Sequence, residues 1–485
     1  MLWTPWTSSV PTPPPPGIRS PPVPCNALDL VNFPLILTTG VIVDSRLDAR
    51  KLEDTIMMLV ERKFPRVGAR IALRNGVSLT FHSFGDMPAV KFTAEDQVEA
   101  YRSDASRPQL PMDMPRLSAS SPTISKVPDL DAYFQSPGPK TIQDWIESKS
   151  PLLHIHVSVF DDLTFIGVTS PHVGFDAVGT GILLDAWTRL INGVDLGNSV
   201  RRMQRAELLG TPRVPIHPGD VSKRSTIGLP AIHRVNTWRL DQSKINTIRY
   251  SITVPKVFLA SWKRQIMDEL QRQGSAEWVG SSDVLLAWWH KETLGHRAND
   301  ETPMHLVVVV NLRNKPIFYA SEFDSIGEYI GNAVSIIPVP PFPTRTFNEE
   351  SIGQLALHLR RAINAYNADP SGIRDGLHYM FTNPDAFLLP YPAAGTQWTL
   401  STNWRMARFG ALNFSGAQIQ LGGQTKKTDV SFVYPIMTAG RKRLPMREWY
   451  MVLMEDEEVV WVMQASGAKN WENIRRRTDF CSFEL

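Results

Sequence analysis

The amino-acid sequence predicts a mixed α/β protein built from two halves of similar size. The chain has 485 residues, which is more than one compact domain usually contains. Stretches with strand periodicity alternate with stretches of helical periodicity in both halves. Between them, over residues 207–235, periodicity disappears and prolines accumulate, which is typical of a long crossover loop. The predicted domains are therefore residues 26–206 and 236–485.

Residues 1–25 are predicted to form a proline-rich arm. Nine of the first 24 residues are proline, and Pro13 to Pro16 are consecutive. This density favours an extended, polyproline-like strap or tail on the surface, with a docking segment for another protein as the alternative. No basic stretch is followed by an apolar one, so the arm does not resemble a targeting segment.

Composition limits the classes of partner. The chain is 42% hydrophobic and 20% charged, and its formal net charge is only +3, which argues against nucleic acid as the main partner. Its two cysteines, Cys25 and Cys481, lie too far apart in the sequence to form a metal-binding framework. No apolar run approaches the roughly 18 residues that span a bilayer. We expect a soluble, cytoplasmic monomer with no metal and no membrane partner.

The first half contains a predicted helix, two strands and a second helix. The first helix begins near Asp48 and ends before Pro65, and its apolar face is marked by Leu52, Ile56, Leu59 and Val60. Strands are predicted at about 153–160 and 164–169. A helix over about 177–191 follows directly. The turn between the second strand and this helix is therefore short.

The second half resumes the alternation after the crossover. Ser282 opens an apparent helix, and residues 306–311 form a predicted buried strand. Ser351 and Gln354 have the spacing of a capping box at the start of a further helix. The buried stripe predicted for that helix consists of Ile352, Leu355, Leu359, Ile363 and Tyr366.

A histidine at the strand-to-helix turn is the main candidate for catalysis. The spacing H-x-x-x-D occurs at His82/Asp86, His172/Asp176 and His296/Asp300. Only His172 lies between a predicted strand and a predicted helix, where a base is held rigidly yet stays accessible. Histidine suits this role because its pKa lies near working pH, although an ordinary buried histidine remains the alternative. Asp176 starts the helix, where a carboxylate caps free N–H groups without any contact to the histidine.

Other catalytic templates are not found in the sequence. No G-x-S-x-G elbow and no P-loop occurs. Gly179 and Gly181 begin a glycine fingerprint, but Leu184 occupies the third glycine position. The histidines also lack zinc-site spacing. We therefore expect neither a bound dinucleotide nor a metal.

A second cluster of motifs resembles the BAHD family of acyl-CoA-dependent acyltransferases, in particular fungal tailoring enzymes. That family has an H-x-x-x-D-G motif, matched here from His172, with Ala177 in place of the glycine. It also has a T-x-W segment followed nine residues later by D-F-G-W-G. Thr402 and Trp404 match the former, and Asn413 occupies the Asp position of the latter, where only the next residue, Phe, is retained. Supporting stretches fall at 65–70, 281–285, 311–313 and 329–334, so the resemblance covers about residues 28–480.

The resemblance implies two chloramphenicol-acetyltransferase-like domains with an active-site tunnel between them. It implies that His172 removes the proton of an acceptor hydroxyl and that Trp404 or Thr402 stabilises the oxyanion. Asp176 would be structural and pair with Arg313, and Asn413 would be structural too. The residues implied to line the CoA arm are Ser281, Ser282, Gly331 and Asn332. Acyl-CoA, with acetyl-CoA as the expected form, is then a co-substrate, and no cofactor is bound permanently.

Three functions remain open at this point. The first is an O-acyltransferase, acetyl in type, acting on a fungal terpenoid, polyketide or alkaloid alcohol. The second is the carrier-protein-dependent condensation enzyme, which shares the H-x-x-x-D-G motif but has a second histidine where this chain has Pro171. The third is a small-molecule binding protein on the same fold without catalysis, which the altered segment at Asn413 would suit.

Overall fold

The computed structural model describes residues 22–25, 27–30, 33, 35–73, 77–82, 87–114, 120–196, 247–313, 315, 329–382, 397–420, 428–444, 446–477 and 481–482. The predicted crossover loop at 207–235 and all but the last residues of the arm at 1–25 lie outside these ranges. Within them, no helix is both long and apolar enough to cross a membrane.

Eleven α-helices lie in the described part of the chain: α1 (Ala27–Leu30), α2 (Ala49–Arg62), α3 (Asp131–Phe134), α4 (Ile142–Glu147), α5 (Ala177–Ile191), α6 (Lys256–Arg272), α7 (Ser281–Leu294), α8 (Thr346–Glu349), α9 (Ile352–Asn367), α10 (Pro370–Thr382) and α11 (Ala468–Arg477). The strands are β1 (Val23–Pro24), β2 (Leu35–Val43), β3 (Arg70–Leu73), β4 (Val77–Thr80), β5 (Lys91–Asp96), β6 (Thr123–Lys126), β7 (His154–Val159), β8 (Thr164–Pro171), β9 (Thr247–Pro255), β10 (Pro303–Asn311), β11 (Val334–Pro338), β12 (Phe342–Pro343), β13 (Gln397–Asn403), β14 (Val430–Ala439), β15 (Lys442–Arg443), β16 (Trp449–Glu455), β17 (Val459–Gly467) and β18 (Cys481–Ser482).

A six-stranded sheet with the order β15-β14-β2-β8-β7-β5 forms the first half of the fold. Its central strands β2, β8 and β7 are almost entirely buried, whereas the edge strand β5 is exposed at its carboxyl end. Helices α2 and α5 pack against each other and share one hydrophobic core with the sheet. The prediction for α2 is confirmed, because Asp48 is its N-cap and accepts a 3.1 Å hydrogen bond from the Lys51 N–H.

The second half is organised by a larger sheet with the order β11-β10-β13-β16-β17-β9-β6-β18, with β12 paired to β10. Helices α7 and α9 pack against each other within its core. The capping box predicted from Ser351 and Gln354 opens α9 as expected. Strand β13 lies between β10 and β16 and is parallel to both. The carboxyl ends of β10 and β13 therefore lie at the same edge of the sheet. This edge faces the first half of the fold at α5. A mixed α/β architecture is thus confirmed.

Each large sheet takes strands from the other half of the sequence: the six-stranded sheet takes β14 and β15, and the larger sheet takes β6. Strand β14 pairs with β2 along its whole length, from Val430 against Val43 to Ala439 against Leu35. In return, β6 joins the larger sheet by pairing with β9. The sequence analysis did not foresee this exchange, since pairing between strands so far apart leaves no local pattern. The two halves are therefore interlocked through backbone hydrogen bonds.

Candidate active site

His172 lies at the turn between β8 and α5. Its backbone N–H donates a 2.8 Å hydrogen bond to the Leu35 carbonyl on the neighbouring strand, which fixes the turn to the sheet. The side chain is almost fully enclosed, with 9% of its surface exposed. Burial lowers the pKa of the imidazole below 6.5, because the charged form loses its hydration. The imidazole is therefore unprotonated near neutral pH and can accept a proton.

Asp176 is directed away from the imidazole and into the helix start. It is the N-cap of α5 and accepts a 2.8 Å hydrogen bond from the Gly179 N–H. Its other oxygen accepts a 2.9 Å bond from the Ala333 N–H. Arg313 approaches the same carboxylate with both terminal nitrogens, at 2.9 and 3.0 Å. The acceptor positions of Asp176 are thus taken by the backbone and by Arg313.

Arg313 ties the second half of the fold to this helix start. It lies two residues beyond β10, and only 1% of its side chain is exposed. Besides Asp176, it donates to the carbonyls of Tyr329 at 2.6 Å and Gly331 at 2.7 Å. Gly331, which the resemblance placed at the CoA arm, thus has its carbonyl directed at Arg313. The guanidinium therefore connects the segment that precedes β11 to the start of α5 by hydrogen bonds.

The structure places Asn332 against His172 and not on an open surface. Asn332 is fully buried, and its Oδ1 lies 3.1 Å from His172 Nδ1. Its Nδ2 donates to the His172 carbonyl at 2.8 Å and to Asp29 Oδ1 at 3.2 Å. Asp29 in turn forms a 3.0 Å ion pair with Arg66, and both are buried. Burial and these contacts leave Asn332 no surface toward a CoA arm.

Asp29 and Arg66 were not identified as site residues from the sequence. Asp29 lies on the short helix α1 and is separated from Asn332 by 303 positions. The one available signal was an acidic residue within an apolar stretch, since Leu28 and Leu30 flank it. Such a residue is unusual in a core unless it is paired.

The T-x-W segment reaches the same region from β13. Trp404 follows the strand directly, is 6% exposed and packs edge-on against Phe409 at 6.4 Å between ring centroids. The turn after it rests on α5 at Gly181, where an added Cβ would lie 2.3 Å from the Ala407 carbonyl oxygen. Thr402, near the end of β13, is partly exposed. Trp404 and Thr402 therefore approach the helix that begins beside His172.

Ser282 is brought close to this turn as well. It lies in the first turn of α7, and its hydroxyl oxygen accepts a hydrogen bond from Arg405, the residue after Trp404. Arg405 is also paired with Glu455 at 3.1 Å. Ser281 is exposed at the helix start. Ser282 thus borders the Trp404 turn from the side of the larger sheet, with Ser281 as its neighbour in the chain.

Asn413 lies at the other end of α5. Its carbonyl accepts a 2.8 Å hydrogen bond from Asn192, the C-cap of that helix, and its own side chain is exposed. Its Oδ1 accepts from the Ser415 N–H at 2.8 Å, as a turn-forming residue does. Since α5 has 15 residues, Asn413 is roughly 22 Å from the His172 end at 1.5 Å per residue. Asn413 is placed as a surface turn residue and not in the site.

The described residues of the other two H-x-x-x-D pairs form local contacts. Asp86 lies outside the described residues, and His82 contacts the Thr80 hydroxyl at 3.4 Å. Asp300 pairs with Arg297 and accepts a 2.8 Å bond from the Thr302 N–H, which stabilises a turn.

The thiol of Cys25 is close to the Asp29–Arg66 pair but is not activated. Burial raises its pKa to about 12, and the nearby Asp29 carboxylate adds to this effect. A thiol with such a pKa carries almost no thiolate at neutral pH, and the thiolate is the nucleophilic form. Cys25 is thus a poor candidate for a covalent intermediate.

Comparison with known proteins agrees with this geometry. The model of a family described as the Transferase family matches residues 138–424, more than half of the chain and including both His172 and Trp404. This chain belongs to that transferase family, the BAHD acyltransferases. The resemblance inferred from the sequence motifs is thereby confirmed.

Relatives in the family are fungal acetyltransferases. The chain is 26% identical over 427 residues to acetyltransferase adrJ of Penicillium rubens, covering 80% of each chain. It is 27% identical to acetyltransferase pyiB of Pyricularia grisea over 352 residues, 69% of this chain and 67% of that one. Among solved structures, TRI101 of F. sporotrichioides, complexed with coenzyme A and T-2, matches with a TM-score of 0.68 at 13% identity, covering 94% of this chain and 98% of that one. That structural likeness bears on the fold.

Proposed function

We propose that this BAHD acyltransferase transfers an acyl group, with acetyl as the expected one, from acyl-CoA to a hydroxyl of a fungal secondary metabolite such as a terpenoid, polyketide or alkaloid. The observation that carries the proposal is the buried, unprotonated imidazole of His172 at the start of α5, the helix against which the turn after Trp404 packs. The acetyltransferase relatives and the structural neighbour complexed with coenzyme A support the substrate classes.

In the proposed reaction, His172 takes the proton of the acceptor hydroxyl while its oxygen attacks the thioester carbonyl. A carbon–oxygen bond forms and the carbon–sulfur bond breaks. The leaving thiolate takes the proton back from the imidazolium and departs as free CoA thiol. Since thiols ionise at about pH 8.5, sulfur leaves readily and no enzyme nucleophile is needed. The raised pKa of the buried Cys25 thiol is consistent with direct transfer.

Negative charge develops on the carbonyl oxygen during attack. We assign its stabilisation to Trp404 or Thr402, which approach α5 at the end of β13. The indole N–H is donor-only and the threonine hydroxyl can donate, so either group can bind an oxyanion. Ser282 borders the same turn, and it and its neighbour Ser281 remain the proposed contacts to the CoA arm.

Release of free thiol from acetyl-CoA, measured with a panel of terpenoid, polyketide and alkaloid alcohols, tests the proposal. His172→Ala should lower kcat by about 10²–10⁴-fold, whereas His296→Ala, from the look-alike motif, should be near wild type. Activity should fall only when pH drops through the lowered pKa of His172, so the acid limb of kcat should lie below pH 6.5. Thiol release that is independent of His172, or that requires an acyl carrier protein, would contradict the proposal.

A further inference from the structure

Three arginines come together where the two large sheets face each other. Arg249 on β9 and Arg447, two residues before β16, are both paired with Ala465 of β17, one from each side. Residues paired across neighbouring strands project to the same face of a sheet. Arg443, on β15, belongs to the six-stranded sheet. We call Arg249, Arg443 and Arg447 the arginine cluster.

The ring of Tyr434 in β14 joins the arginines of the two sheets. The guanidinium carbons of Arg249 and Arg443 lie 5.2 and 5.4 Å from the centre of that ring. Arg249 Nη2 also donates a 3.0 Å hydrogen bond to the Tyr434 hydroxyl. The face of the larger sheet that carries Arg249 and Arg447 is therefore directed at the six-stranded sheet.

Arg447 is buried without a hydrogen-bond partner for two of its nitrogens. It is 7% exposed, and within the described part of the chain nothing accepts from its Nε or Nη1. The Glu448 carboxylate lies 3.9 Å from Nε, which is beyond hydrogen-bond reach, and accepts from the Ser466 hydroxyl at 2.7 Å. Burial lowers the pKa of Arg447, because the charged form loses its hydration. Buried donors left in this way are unusual in a folded protein and require an acceptor from elsewhere.

The backbone on both sides of Arg447 is strained. Met446 and Glu448 have φ values of +46° and +56°, and they are two of the four non-glycine residues with positive φ in the described chain. Such conformations persist only where the surrounding structure enforces them, and they concentrate at ligand sites. The strain and the unpaired donors thus coincide at Arg447.

The other two members of the arginine cluster also have donors to spare. Arg249 Nη1 and Arg443 Nε are buried without a hydrogen-bond partner in the described chain. Arg443 is paired with Asp131 of α3, so the three guanidinium groups are not neutralised by that one carboxylate. The cluster therefore offers positive charge and N–H donors to an anion.

Strand register places the arginine cluster relative to His172. Pro171, the residue before His172, pairs with Ile36 of β2. Ile36 pairs with Thr438 of β14, which in turn pairs with Arg443. At about 4.8 Å per strand, Arg443 lies roughly 14 Å from Pro171 along the same face of the sheet. A single metabolite of moderate size can span that distance.

We propose that Arg447, with Arg249 and Arg443 beside it, binds a carboxylate of the acceptor, so that the metabolite acylated by this enzyme is a hydroxy acid. The hydroxyl lies at His172 and the acid lies between the two sheets. The planar guanidinium fork matches a carboxylate with two parallel hydrogen bonds. This inference rests on the proposed function and narrows its acceptor to acids. A metabolite whose only charge is a cationic amine would be repelled.

The test compares terpenoid and polyketide hydroxy acids with their methyl esters in the thiol-release assay. Hydrogen bonds to a charged group should raise kcat/KM for the acid above that for its ester by about 10–10²-fold. Arg447→Met should abolish this preference and leave kcat/KM for the ester unchanged. A wild-type enzyme that accepts acid and ester equally overturns the proposal.

A matched control is Arg46→Met, which changes the net charge by the same amount. Arg46 is already paired with Asp96 and Asp161 at 2.6 and 2.7 Å. Its loss should leave the ratio of acid to ester at the wild-type value. An equal fall of that ratio in Arg46→Met would show that net charge, and not a site, is responsible.

Binding of the carboxylate is measured without acyl transfer. In the absence of acyl-CoA, benzoate should raise the melting temperature of the wild type more than benzamide does, and Arg447→Met should respond to both alike. Arg447→Met itself should unfold at the wild-type temperature or above, because the removed charge has no close partner. A variant that fails to fold, or that keeps the response to benzoate, overturns the inference. If benzoate binds through Arg447 but no thiol is released with any alcohol, the proposed function fails and the anion site stands.

Discussion

At the scale of single residues, the two residues of the H-x-x-x-D motif have different roles. His172 offers an imidazole whose pKa is lowered by burial, while the acid of its own motif, Asp176, is used to hold a helix and an arginine. Motif spacing alone does not reveal this division. It follows from the three-dimensional position of Arg313, whose partner lies 137 positions away in the sequence.

Trp404 provides a test of the oxyanion assignment. Trp404→Phe keeps most of the ring volume that packs against Phe409 and removes the indole N–H, so the fold should survive. If the indole donates to the oxyanion, kcat should fall by about 10²–10³-fold. The dissociation constant of acetyl-CoA should barely change, because the ground-state carbonyl needs the donor less than the transition state does.

The companion variant is Thr402→Val, measured in the same steady-state assay. If Trp404→Phe turns over at the wild-type rate while Thr402→Val loses activity, the indole serves only in packing. The threonine hydroxyl would then be the oxyanion donor.

We expect the Asp176–Arg313 pair to contribute to the stability of the fold more than to catalysis. Both side chains are less than 5% exposed, so Arg313→Met or Asp176→Asn leaves a buried charge without its partner. The free energy of unfolding should fall by about 3–5 kcal/mol. Denaturant titration measures this, and activity per folded molecule should be largely preserved. Normal unfolding with a kcat lowered by 10²-fold or more in Asp176→Asn would instead place Asp176 in the catalytic step.

The sequence predicted the candidate base and its motif partners because the motifs are local. The strand that ends at Pro171, the helix with its N-cap at Asp176 and the T-x-W segment each occupy a few consecutive positions. Asp29 and Asn332 could not be placed in this way. Their contacts arise only when a short helix near the start of the chain meets the segment before β11, and no spacing rule encodes that meeting.

At the scale of elements, α5 is the piece on which the two halves meet. Its first two turns contain Gly179 and Gly181, whose missing side chains admit backbone from the second half. An added Cβ at Gly179 would lie 1.9 Å from the Ile330 carbonyl oxygen, and one at Gly181 would lie 2.3 Å from that of Ala407. The glycines that resembled an incomplete nucleotide fingerprint are thus close-packing positions.

Gly181→Ala should therefore destabilise the protein, although alanine has the higher helix propensity. In an exposed helix such a change stabilises by about 0.5–1 kcal/mol. Here the methyl group must displace the turn that carries Trp404, so we expect a loss of about 1–3 kcal/mol from overpacking together with a lower kcat. Thermal unfolding and the thiol-release assay measure both.

Gly353→Ala, in α9, is the control. Its nearest neighbours are side-chain carbons of Ile266 at 3.4 Å, an ordinary contact, so stability should be equal to or above wild type. If both alanine variants are stabilised alike, the turn after Trp404 does not press on α5.

At the scale of the whole molecule, the exchange of β6 and β14 means that neither half of the sequence forms its sheet alone. The crossover stretch at 207–235 predicted two domains, and each large sheet does draw most of its strands from one half. Strand β14 breaks this pattern. It covers the edge of β2 with nine residue pairs, which no local periodicity could have indicated.

Residues 1–206 expressed alone should therefore fail to give a stable monomer. Without β14 the apolar strand β2 becomes an open sheet edge, which favours aggregation. Size-exclusion chromatography and thermal unfolding of the fragment measure this, and co-expression with residues 236–485 should restore soluble, active protein. A monomeric fragment 1–206 with a cooperative transition would show that β14 is dispensable to its sheet.

The pairing of β2 with β14 also has a consequence for biosynthesis. Ribosomes add about 5–20 residues per second, and domains usually fold in the order in which they emerge. Here the partner of β2 is made nearly 400 positions later, so the nascent strand waits roughly 20–80 s for it. During that interval the nascent chain has an unpaired apolar strand edge. This edge can pair with nascent chains on neighbouring ribosomes of the same mRNA. Chaperone supply during translation, more than the stability of the finished enzyme, should then limit the yield of active protein in a heterologous host.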